Sequence, residues 1–135
     1  VKNTEFKFVA PGKPFERVTI SSADHVWQSQ KTGNTIAVNS LCKKYQDASL
    51  DNLQKNILSG IENVKIEKKE NFSYQGREAQ KTLATGTTDG ISIYVSLVVF
   101  KKNNCTYDVA YISRKNKFNE EASVFETFLE GFQVP

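Results

Sequence analysis

Hydrophobic and polar positions along this chain repeat with two periods. In residues 91–101, Ile91, Ile93, Val95, Leu97 and Val99 alternate with Ser92, Tyr94, Ser96, Val98 and Phe100. Successive side chains of a strand point to opposite faces, so this segment predicts a strand, and its apolar residues on both faces make it a central one, covered from both sides. Strand-like stretches also occupy residues 64–74, 77–87 and 106–113, with no helical segment between them. The links Gln75-Gly76 and Asp89-Gly90 suit two-residue hairpins, and consecutive strands joined by tight turns make an antiparallel meander. Lys65, Glu67 and Lys69 line one face of the 64–74 strand, as expected of a solvated face or a guarded edge.

The first half of the chain is more broken. Residues 6–9 are short and strand-like; Pro11, Gly12 and Pro14 interrupt the pattern before it resumes at 15–20, which predicts an opening hairpin or bent strand pair. Residues 21–34 are mostly polar apart from Val26 and Trp27, predicting a short strand and a Thr32-Gly33-Asn34 turn, and 35–42 reads as a further strand. At residues 49–61 the period changes: Leu50, Leu53, Ile57, Leu58 and Ile61 share one face of a helix that Ser49 or Asp47 can cap and that ends near Gly60. A second helix closes the chain. Phe118, Ala122, Phe125, Leu129 and Phe132 form its stripe, Asn119 is a good N-cap, Glu120 and Glu121 complement the positive helix end, and Gly131 marks the stop. Burial of each aromatic side chain on that stripe contributes about 2 kcal/mol, which makes the helix structural and not a loose tail.

The 135 residues suffice for a single domain, 1–135, and 39% hydrophobic, 11% aromatic and 24% charged content is ordinary globular usage. The net charge of +3 is dispersed, so no basic stripe points to nucleic acid; Lys43-Lys44, Lys68-Lys69 and Lys101-Lys102 read as solvated strand ends and edges. No apolar run is long enough to span a membrane. The chain starts at Val1 and contains no methionine, so at least an initiator has been removed, which is compatible with export and equally with trimming. Cys42 and Cys105 bear on the same point. In an exported domain two cysteines pair, and closing a loop of about 64 residues would stabilise by about 4 kcal/mol in the chain-entropy model. The alternative is two buried free thiols acting as small apolar residues.

Catalytic chemistry finds little purchase. His25, beside Asp24, is the one histidine, and a nucleophile mechanism would need it as base with an orienting group and an oxyanion site, yet no G-x-S-x-G accompanies it. Zinc held by Cys42, Cys105 and His25 would lack a fourth ligand; the acidic residues are too dispersed for calcium, and the glycines are isolated, so no metal or cofactor is expected. The candidate binding residues are His25 with Trp27, and Tyr74 with Arg77 around the Gly76 turn, because Trp and Arg combine large contact area with a directed polar group. Trp27 as an ordinary core residue is the competing reading.

The element order makes an α+β domain, an antiparallel sheet meander with two main helices packed on it. It resembles the PsbP-like fold through Phe8-x-x-Pro11 with Phe15, Thr35-Ile36-Ala37-Val38 before the first helix, and Phe125-x-x-Phe128-Leu129-Glu130-Gly131-Phe132 at the end. These are core and turn positions covering most of the chain, and no ligand motif transfers with them. The fold serves extrinsic photosystem II proteins, a Ran-binding import factor and small bacterial envelope lipoproteins. The resemblance implies a non-enzymatic binding or assembly role, and the cysteine pair points to the envelope group: an exported, lipid-anchored protein of periplasm or cell envelope whose partner is another protein or an envelope component. An intracellular adaptor with free thiols is the alternative, and a hydrolase using His25 a third.

Overall fold

The computed structural model describes residues 6–20, 23–42 and 49–135. The Lys43-Lys44 pair and Asp47 lie outside the described residues. In chain order the elements are β1 (Phe15–Val18), β2 (His25–Ser29), β3 (Thr35–Cys42), α1 (Leu50–Leu58), β4 (Glu62–Tyr74), β5 (Arg77–Thr88), β6 (Ile91–Lys102), β7 (Cys105–Arg114) and, after a short 3₁₀ turn, α2 (Phe118–Gly131). The strands form one sheet in the order β1-β2-β3-β7-β6-β5-β4. Every neighbouring pair is antiparallel. Two meanders, β1–β3 and β4–β7, therefore meet at a seam between β3 and β7, and α1 carries the chain from one to the other.

Period-2 alternation on β6 divides the core between the sheet's two faces. Val98 and Phe100 join Tyr107, Tyr111, Phe125 of α2 and Phe132 just beyond it on one side. Val95, Leu97 and Val99 pack with Ala84, Ala110 and Leu58 of α1 on the other. Both helices thus cover the same central strands from opposite sides. At the edge, residues 62–71 of β4 are all exposed, and their lysines and glutamates keep the edge solvated.

The hairpin turns follow from residues that tolerate left-handed backbone. Gln75-Gly76, Asp89-Gly90 and Asn103-Asn104 all have positive φ, the requirement of turns whose twist matches that of the flanking strands. Gly86 answers a different demand. A Cβ there would run into Ile61 Cγ2 and lie 2.9 Å from the Glu62 carbonyl, where the chain enters β4 against β5.

The seam is stapled covalently. Cys42 and Cys105 are directly opposed in the β3–β7 register, their Cα atoms 4.0 Å apart, and they form a disulfide. Bonding between the two sulfurs removes them as zinc ligands.

Two local expectations are corrected. Residues 6–9 form no strand with β1. Lys7 instead exchanges two backbone hydrogen bonds of 2.8 Å with Gln133, beyond α2, while β1 pairs with β2. Burial of Phe6 and Phe8 among the rings at that end of the sheet outweighs a local hairpin. Asn119 does not cap α2. The helix begins at Phe118 with no side-chain cap, because Phe118 packs between Tyr94 and Tyr111 at centroid distances of 5.2 and 5.1 Å and draws the first turn into the core. For α1, Ser49 is the cap, accepting from the Asn52 amide at 3.1 Å.

Candidate functional site

His25 and Trp27 are two residues apart on β2 and so share a face, with ring centroids 6.0 Å apart and planes nearly parallel. That face is not open. Phe8 lies 4.8 Å from His25 and 5.1 Å from Trp27, Phe128 of α2 lies 5.3 Å from Trp27, and Trp27 is 3% exposed, the burial of a core residue. Arg17 on β1 lies over the indole at 5.5 Å and donates from Nη2 to His25 Nδ1. The ring therefore keeps its Nδ1 lone pair and carries its proton on Nε2. Burial, and next the Arg17 charge, lower the His25 pKa from 6.5, with Asp24 acting in the opposite sense. In nucleophile triads a carboxylate accepts from Nδ1–H and strengthens the base; here a guanidinium donates to Nδ1 and weakens it.

Tyr74 and Arg77 face each other across the β4–β5 turn, on strands five and four places from β2 in the sheet, so the two sequence clusters do not form one site. Arg77 is exposed. Tyr74 turns inward and donates to the Leu129 carbonyl at 2.6 Å, with its hydroxyl pushed up to about 12 by burial. Gln75 Nε2 donates to the Phe132 carbonyl at 2.7 Å, and Gln75 Oε1 accepts from the Val134 amide at 2.6 Å. Together they satisfy one carbonyl left free by the last turn of α2 and two backbone groups just beyond it, with Gln75 in left-handed conformation.

Above this clamp a groove runs between α2 and the exposed face of β4 and β5. Its larger part, of about 360 Å³, is walled by Phe72 and Tyr74 of β4 and by Glu126, Leu129 and Glu130 of α2. A contiguous part of about 220 Å³ continues past Lys68, Leu83 and Ser96 to Phe118, and both share Glu70, Lys81 and Glu126. Lys81 pairs with Glu126 across it. Aromatic walls with paired charges along the rim are the makings of a recognition surface for an extended segment.

A polar cluster that sequence reasoning missed lies at the other end of α2. Glu121, 6% exposed, accepts from Ser29 Oγ at 2.7 Å, from Asn34 Nδ2 at 2.9 Å and from the Thr32 hydroxyl. Asn34 also donates to Tyr111 Oη and the Lys117 carbonyl, both at 3.0 Å, and Tyr111 donates to the Phe118 carbonyl at 2.7 Å. The network locks the β2–β3 turn onto the start of α2. A signal existed: Glu121 falls three residues after Phe118 and four before Phe125, on the apolar stripe, where a charge demands partners.

No family model matches the chain, and no curated protein matches it in sequence. Its architecture is found in solved structures. The cyanobacterial PsbP of Synechocystis, CyanoP, superposes on all of this chain and 91% of its own length with a TM-score of 0.68 and 11% identity. LpqN of Mycobacterium tuberculosis, involved in cell envelope biogenesis, superposes on 96% of this chain and 83% of its own, with a TM-score of 0.67 and 10% identity. A Pseudomonas aeruginosa protein of unknown function matches all of this chain and 84% of its own at a TM-score of 0.61 and 10% identity. The chain has the PsbP-like fold, an antiparallel α+β sheet with two helices.

Proposed function

We propose that this chain is a non-enzymatic binding or assembly domain of an exported, envelope-associated protein, tethered through a lipid-bearing segment upstream and engaging a protein or envelope component along the α2–β4 groove. The observation that carries the reading is the Cys42–Cys105 disulfide at the sheet's seam, because such bonds form and persist in oxidising compartments. The resemblance in fold to LpqN supports an envelope setting, and the groove supplies a surface for binding.

Cell fractionation with antibody detection tests the compartment, and metabolic labelling of the full-length precursor with an alkyne fatty acid tests the anchor. Recovery of a fatty-acylated product in the envelope fraction is the expected result; an unacylated product in the cytosol would overturn the reading.

A further inference from the structure

The segment that precedes β1 is held down by a group that can change its charge. Phe6 and Phe8 press on the His25 ring at centroid distances of 5.4 and 4.8 Å, and between them Lys7 makes the two backbone bonds to Gln133 that tie the segment to the end of the chain. The residues that follow, Val9 to Lys13, lie against Ser123, Val124, Thr127 and Phe128 of α2 around a cleft of about 430 Å³ and include the well-exposed Val9, so they add little to the hold. The segment is a strap fastened where its two phenylalanines meet His25, Trp27 and Phe128, with Phe6 also set against Tyr107 and Phe132.

We propose that His25 is an acid-sensitive latch: its protonation releases the Phe6–Phe8 strap and uncovers Trp27 and Phe128. Nδ1 accepts from the Arg17 guanidinium, so the proton arriving on imidazole at acid pH lands where that hydrogen bond is made. It replaces an acceptor with a donor and sets two cations side by side. Among the described residues, the charged groups that face the ring are Arg17 from β1 and Asp24 just before its own strand. The strap presents Phe6 and Phe8, and α2 reaches this cluster through Phe128, which touches Phe8 and Trp27. Asp24 favours the charged ring, and the opposing burial and Arg17 outweigh it. Arg17 also lies over the Trp27 ring on which His25 stacks, so two cations would share that ring.

The chain has one histidine, so its ring protons give a single titration by NMR. Amide exchange of Lys7 and Gln133, corrected for intrinsic rates, reports the strap. Between pH 7 and about pH 5 their protection should fall severalfold in step with the His25 titration, while amides of β6 hold theirs. In His25→Gln, whose side-chain oxygen can still accept from Arg17, the fall should vanish, and in Arg17→Gln the His25 midpoint should move up. Lys7 and Gln133 protection that ignores pH in the wild type would overturn the latch. So would an undiminished fall in His25→Gln, or an unmoved midpoint in Arg17→Gln, which can be read even if the histidine variant folds poorly.

Discussion

Replacing Glu121 by alanine leaves Ser29, Thr32 and Asn34 with no carboxylate to donate to, all three buried. Unsatisfied groups in such a place cost heavily, and the variant should be about 3 kcal/mol less stable in urea unfolding, with Glu121→Gln, which keeps one acceptor oxygen, intermediate. A loss below about 1 kcal/mol would show that the network is ornamental. Tyr111 belongs to the same cluster, and burial, with Glu121 adding to it, pushes its hydroxyl up to about 12. Because its folded pKa is raised, its contribution is complete below 10.0 and is lost as the pH rises from there through about 12. Alkaline melting should thus show a steep fall in that window, shallower in Tyr111→Phe. Gly86 is the third sensitive residue. Gly86→Ala puts a methyl against the Glu62 carbonyl, and overpacking of this kind should cost about 1–3 kcal/mol in the same assay, with no change in the number of strands seen by circular dichroism.

Among the elements, those governed by local pattern were legible in sequence. β3 spans Thr35–Cys42 as its alternation predicts, and β4 to β7 depart from expectation by two residues at most, because strict period-2 runs met turn residues able to adopt positive φ. α1 ends at Leu58, short of the expected 61, although Ile61 still packs beneath the helix on the core. What could not be read locally was decided by contacts between distant residues. The partner of residues 6–9 is Gln133, the start of α2 is set by Phe118 meeting Tyr94 and Tyr111, and the groove forms where Phe72 and Tyr74 of β4 face Glu126, Leu129 and Glu130 of α2. Of the candidate site residues, Tyr74 lines the groove and clamps α2, Arg77 stands outside it, and His25 with Trp27 sits under the strap, an arrangement no spacing encodes. The capping of α1 is a local feature and its test is simple: Ser49→Ala should lower stability by about 1 kcal/mol.

On the scale of the whole molecule, two meanders share one sheet, and the Cys42–Cys105 bond crosses the line where they meet. The backbone ladder between β3 and β7 joins the same strands, so the disulfide adds restraint mainly on the unfolded chain. Cys42→Ala/Cys105→Ala should fold to the same sheet with stability lower by about 2–4 kcal/mol in denaturant titration. The bond also ties the architecture to a compartment, and that link supports the reading of an exported binding domain more directly than the fold does, since the fold alone does not fix function.

The most direct test of that central claim is the state of the two thiols in the organism's own cells. Cells are quenched in acid, the thiols alkylated with a heavy maleimide before and after reduction, and the intact mass of the captured protein measured. The account predicts no added maleimide without reductant and two after it. Two maleimides added without reductant would contradict it, since the chain would then reside with its cysteines free.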